Sequence, residues 1–162
     1  MPEILEIMAT NLPMSIDSQT AFPWLSLIVL LPAVGALIMP FLPTQENKNS
    51  NLPRNISLVI LLADFFIIIG AFSNLFDPSS ESLQLVERLQ WLPSIGLEWS
   101  LGVDGISAPL VVLSGLITLL SAAASWKVNQ KTRLYFALLL IQASAQALVF
   151  LSQDFLLFFL AW

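Results

Sequence analysis

Asp64 stands near the midpoint of Ile56 to Phe76, a run of 21 residues with no other charge. A carboxyl there can take up and release a proton. Placing it at the centre of a lipid-crossing helix costs roughly 2.5 to 3.5 kcal/mol on insertion scales, so it needs a reason. Either it belongs to a proton path, or it is protonated or hydrogen-bonded and locks one helix to another. No Lys or Arg lies within the apolar runs of this chain to pair with it, which weighs towards the lock. Tyr135, Gln142, Gln146 and Gln153 are spaced by seven, four and seven residues, which at 100° per residue places them within about 40° of arc. A stripe of large polar groups either bridges helices or organises a file of water, and Gln142 and Gln146 are candidates for a proton path on the second reading. Ser107, Ser114, Thr118, Ser121 and Ser125 share a sector of about 60° on their own run; small hydroxyls at helix interfaces are usually packing glue worth ~0.6 kcal/mol each. Asp154 stands at the mouth of the last apolar run, as an N-cap or as a proton port.

The elements that must position these residues are membrane spans. Hydrophobic residues make up 57% of the 162-residue chain, charged residues 10%, and the mean hydropathy is +0.83. Soluble domains carry about 25% charged residues, so the solvent here is lipid. The formal net charge is -5, and six Lys and Arg scattered over separate loops form no basic stripe, which sets nucleic acid aside as a partner. There is no Cys and no His, which removes disulfides, Fe–S ligation, the ordinary zinc sites and imidazole base chemistry from this segment. No metal-ligand spacing, nucleotide-binding glycine loop or nucleophile motif is present. If the chain belongs to a redox machine, it carries no redox centre.

The expected fold is an all-α integral membrane protein, an up-down transmembrane helix bundle. Four full spans are predicted at about 22–42, 56–76, 105–125 and 134–151, with the start of a fifth at 155–162. Pro32 inside the first span should kink it and leave a carbonyl for a neighbour to satisfy. Between spans two and three, Leu97, Trp99, Leu101 and Val103 alternate with Glu98, Ser100 and Gly102, and Leu83, Leu85, Leu89 and Trp91 alternate less strictly with Gln84, Arg88 and Gln90. That period of two predicts a surface β-hairpin over about 83–103, turning at Pro93 to Gly96. The competing reading is an irregular loop anchored at headgroup level by Trp91 and Trp99.

Lys48, Arg54, Lys127, Lys131 and Arg133 follow spans one and three, whereas Arg88 alone lies on the other side, so the N-terminus and the hairpin are expected on the non-cytoplasmic face. Residues 1–21 form a tail without Lys or Arg and lack the basic start of a signal peptide. They are read either as a short surface helix or as flexible chain. The sequon Asn55-Ile56-Ser57 falls on the cytoplasmic side and is discarded. The run Phe155 to Trp162 reaches only ~12 Å against ~30 Å of hydrocarbon, so the sequence is expected to be the N-terminal piece of a larger membrane protein.

Several stretches carry a resemblance. Phe22-Pro23-Trp24-Leu25, Leu30-Leu31-Pro32, Gln84-Leu85-Val86-Glu87, Trp91-Leu92-Pro93, Gly102-Val103-Asp104-Gly105-Ile106-Ser107 and the ending Gln153-Asp154 to Ala161-Trp162 together resemble the start of the chain 4 family of cyanobacterial and chloroplast NAD(P)H-quinone oxidoreductase, over about residues 22–162. The resemblance implies that 22–162 is the N-terminal part of an antiporter-like transmembrane domain. It implies proton translocation in a thylakoid membrane with the N-terminus lumenal, while other subunits hold NAD(P)H or ferredoxin, Fe–S clusters and plastoquinone. It also implies an essential glutamate after Trp162 and a lysine partner further on. Neither residue is in this sequence, so no catalytic residue carries over. Pro32, Trp91, Trp99, Gly102, Asp104 and Gly105 carry over only as structural or subunit-contact positions. Lys127 to Arg133 and Gln142 to Gln146 look more like the paralogue of the variant complex for CO2 uptake, which would add CO2-uptake subunits to the membrane and hydrophilic partners. The alternatives are a cation/proton antiporter subunit and a truncated structural subunit that does not pump.

Overall fold

Among the described residues four helices are long and apolar enough to cross a membrane, and the chain is that of an integral membrane protein. The computed structural model describes residues 17–18, 22–42, 51–80, 82–92, 97–128 and 131–162. Helix α1 spans Trp24–Ile38 and tightens into a 3-10 turn at Met39–Phe41. Helix α2 spans Leu52–Leu75, α3 spans Ser107–Ala124 with a 3-10 turn at Ser125–Lys127, α4 spans Thr132–Leu151 and the short α5 spans Phe155–Ala161.

Two boundaries differ from the sequence expectation. Helix α2 starts at Leu52, four residues before the apolar run, because Pro53 in the first turn needs no donor and a polar first turn needs no burial. Arg54, expected in the loop, therefore lies in the helix. Helix α4 stops at Leu151, so Gln153 is not part of the α4 stripe. A strand edge takes it instead: its backbone N–H donates to the Ser100 carbonyl at 2.8 Å, and its Nε2 donates to the Gly102 carbonyl at 3.3 Å.

The strands are β1 (Asp17–Ser18), β2 (Gln84–Leu92) and β3 (Leu97–Val103), in the order β1-β2-β3 and antiparallel throughout. Register pairs Glu87 with Leu101 and Leu89 with Trp99. Leu85 takes a left-handed backbone, φ 54°, in the irregular stretch between Gln84 and Glu87, and its side chain is buried. The expected turn at Pro93 to Gly96 lies outside the described residues. In the tail, Asp17 and Ser18 pair with Arg88 and Glu87 and cover the outer edge of β2, where a helix or flexible chain was expected. Ser152 bridges Leu101 on the outer edge of β3, so neighbouring chain lies along both edges of the hairpin.

Buried apolar residues form two clusters. One lies under the hairpin and includes Leu25, Ile28, Ile68, Leu101, Val103, Val111, Ala147 and Leu151. The other lies towards the opposite end and includes Ala36, Met39, Leu61, Ala122, Ala137 and Leu140. Where the bundle is tight, side chains are minimal: a Cβ on Gly35 would meet Ile60 Cδ1 at 2.7 Å.

Candidate functional site

Between the two apolar clusters each long helix places a buried residue that is not an ordinary hydrocarbon. Along α1, Pro32 falls between Val29 and Ala36; along α2, Asp64 between Leu61 and Ile68; along α3, Thr118 between Val111 and Ala122; along α4, Ser144 between Leu140 and Ala147. These spacings of three, four and seven keep each one on the packed face of its helix. Asp64, Thr118 and Ser144 are polar, and with Pro32 they mark a waist between the two apolar clusters.

Most of the waist is satisfied locally. Ser144 Oγ donates to the Val29 carbonyl at 2.6 Å. Pro32 has no N–H for the Ile28 carbonyl, and the serine hydroxyl meets that same loosened turn of α1. Thr118 Oγ1 lies 2.9 Å from the Ser114 carbonyl and 3.2 Å from Gln146 Oε1, which ties α3 to α4. Asp64 differs. It is 5% exposed, and its Oδ1 is buried with no hydrogen-bond partner. Arg54 is ten residues away along the same helix, about 15 Å, too far to pair with it.

The remaining members of the two polar stripes separate. Gln146 faces α3, Gln142 is exposed at the middle of α4, and Tyr135 pairs its hydroxyl with Ser125 Oγ at 2.6 Å. Ser114, Ser121 and Ser125 return their hydroxyls to carbonyls three or four residues earlier on α3, bonds within one helix that join no two helices.

At the hairpin end three carboxylates meet three helix N-termini, whose free N–H groups and dipole favour negative charge. Glu87 is 3% exposed and accepts from Leu25 N at 2.7 Å, Ser26 N at 2.9 Å and Ser26 Oγ at 2.6 Å, capping α1 from the hairpin. Trp99 Nε1 donates to the same Ser26 Oγ at 2.9 Å, so Trp99 is a member of this network. Asp104 Oδ1 accepts from Ser107 N at 2.6 Å and Ile106 N at 3.1 Å at the start of α3, while Asp104 N donates back to Ser107 Oγ. Asp154 caps α5 through Leu156 N at 2.8 Å and accepts from Glu98 N of β3 at 2.9 Å. The Ser107 backbone N–H holds the Asp104 carboxyl below the ordinary range, and the Glu98 N–H does the same for Asp154.

Gly102 is a close-approach position, where a Cβ would meet Leu83 Cδ2 at 2.8 Å and Gln153 Cγ at 3.2 Å. Gly105 has open space around it. Trp91 lies in β2, and its side chain lies outside the described residues. Glu87 was not singled out from the sequence, although it falls between Leu85 and Leu89 at an apolar position of the alternation, where a carboxylate is out of place. Among the described residues no group of three or more His, Cys, Asp or Glu is placed to hold a metal ion.

No protein-family model matches the chain. It is 48% identical over 141 residues, 87% of its length, to NAD(P)H-quinone oxidoreductase chain 4 3 of Picosynechococcus sp., of which it covers 25%. It is 50% identical over 145 residues to NAD(P)H-quinone oxidoreductase chain 4 of Prochlorococcus marinus strain NATL1A, covering 89% of this chain and 26% of that one. The chain 4 of strain MIT 9211 aligns over 159 residues at 44% identity, covering 98% of this chain and 28% of that relative. The chain thus spans about a quarter of the length of the curated relatives it matches. Over most of its length, this chain is a homologue of the N-terminal part of cyanobacterial NAD(P)H-quinone oxidoreductase chain 4.

Proposed function

We propose that this chain works as part of a proton-translocating membrane subunit of an NAD(P)H-quinone oxidoreductase, contributing conduction and not electron transfer. The observation that carries the reading is the 48% identity over 87% of the chain to a protein of that name. In this reading α1 to α4 cross a thylakoid membrane alternately, with the hairpin end lumenal and the basic end cytoplasmic. The cofactors, NAD(P)H or ferredoxin, Fe–S clusters and plastoquinone, belong to other subunits, and the partners are membrane and hydrophilic subunits of that complex.

Within this chain Asp64 is the group that holds and passes a proton. A carboxyl that merely locks two helices has its oxygens bonded, and buried Oδ1 here has no partner. Gln146, with Thr118, lies on the same waist and is the next polar group of the path. Gln142 extends it at the exposed face of α4. Asp154 serves as cap and tether, because its carboxylate already holds two N–H groups.

The test is the intact mass of the protein in purified membranes, read with its co-purifying subunits. A mass several-fold above 17.9 kDa together with quinone oxidoreductase subunits is expected. CO2-uptake subunits in the same preparation would assign it to that variant. A mass near 17.9 kDa, with none of these partners, would overturn the reading.

A further inference from the structure

At the end of the bundle remote from the hairpin, no described residue sets an anion against the helix starts. Helices α2 and α4 start there, behind Asn51 and Lys131, with no side-chain cap and no acid in either first turn. Each N-terminus presents free N–H donors and about half a positive charge. An arginine adds to each. Arg54 is 7% exposed, its guanidinium lies 3.7 Å from the centre of the Trp126 ring, and Nη1 donates to the Trp126 carbonyl at 3.4 Å. Its Nε is buried with no acceptor. Arg133 repeats the pattern, with Nη1 on the Pro40 carbonyl at 3.2 Å and Nε buried without an acceptor.

A long bond to a neutral carbonyl leaves a buried guanidinium short of charge and of acceptors, and a group so placed is costly until an anion meets it. The Nε edge that has no acceptor is the one that grips a phosphate or carboxylate through two parallel bonds. Among the described residues no carboxylate pairs with either arginine. Trp126, whose ring lies against the Arg54 guanidinium, is largely exposed, as a ring at headgroup level would be, and binding through the Nε edge requires it to shift. Lys127 and Lys131 are exposed close by in sequence.

We propose that the N-terminus of α2, with Arg54 beneath Trp126, binds the phosphate of an anionic phospholipid headgroup, and that Arg133, Lys127 and Lys131 supply the surrounding positive field. The site rests on the membrane setting of the helices and stands whether or not Asp64 conducts protons.

The test uses the intact protein in detergent with the subunits that accompany it, equilibrated with mixed micelles of headgroup-labelled phosphatidylglycerol or phosphatidylcholine. Phosphatidylglycerol is expected to be retained in preference, and Arg54→Gln to weaken its binding about five-fold, the worth of one basic residue at a charged membrane surface. Phosphatidylcholine binding should not change, and Arg88→Gln at the hairpin should leave both lipids as they were. Equal retention of the two lipids by the unmodified protein, or undiminished phosphatidylglycerol in Arg54→Gln, would overturn the proposal. Displacement of the lipid by an equal concentration of inorganic phosphate would overturn the lipid as the ligand. If Arg54→Gln does not assemble, Arg54→Lys keeps the charge without the fork and should give a smaller loss; no loss would count against the site.

Discussion

The two ends of the bundle hold their helix N-termini in opposite ways. At the hairpin end α1, α3 and α5 each start against a carboxylate of the chain itself: Glu87, Asp104 and Asp154. At the other end α2 and α4 start, among the described residues, with no acid and no side-chain cap, each with an arginine in its first turn. The dipole physics is the same in both places. One end meets it internally and so fastens the hairpin to three helices, whereas the other leaves positive charge for an external anion. The first end is fastened within the chain, and the second is where the proposed lipid phosphate would bind.

The comparison breaks first at Glu87. Glu87→Ala should strand three donors at a buried helix start and lower stability by about 3 kcal/mol, read as thermal unfolding of the purified protein in detergent. Wild-type unfolding in that variant would mean that the hairpin does not hold α1. Gly102→Ala comes next, at about 1.5 kcal/mol, because the new methyl must displace Leu83 and Gln153. Asp104→Ala should cost about 1 kcal/mol as a lost cap. In the other direction, Asn51→Asp gives α2 the acid that the hairpin-end helices already have. It should stabilise by about 0.5 kcal/mol and reduce retention of anionic lipid; stronger lipid retention would contradict the account.

The smallest effect is a pH dependence at the hairpin end. Asp104 and Asp154 are held below the ordinary Asp value of 3.8 by the N–H groups of Ser107 and Glu98. Their contribution to stability is therefore complete above that value and is lost as pH falls through the lower folded values. The unfolding temperature should drop below about pH 4, and Asp104→Asn with Asp154→Asn should flatten the drop. An unchanged profile in the double variant would remove these two carboxylates from the clasp.

The sequence shows the spans and the paired strands because both rest on periodicity over many residues, as in the alternation from Leu97 to Val103. Boundaries were harder. Arg54 and Gln153 moved because a helix start at Pro53 and a competing strand edge at Ser100 are tertiary choices without an apolar signal. Asp64 was legible as a lone charge in an apolar run, but its missing partner was not, since satisfaction depends on which helices neighbour it. Glu87 was legible in principle through strand parity. Its ligands, Leu25 and Ser26, are more than sixty residues away and leave no local trace. The two-residue β1 was not legible at all, because a strand so short has no period.

The central functional claim is that Asp64 carries protons. The direct measurement is the number of protons moved per electron by proteoliposomes holding the assembled oxidoreductase with Asp64→Asn. The account predicts assembled complex and continuing quinone reduction in the presence of an uncoupler, with a lower proton-to-electron ratio than the unmodified complex. An unchanged ratio with normal assembly would contradict it and leave Asp64 as a packing residue of α2.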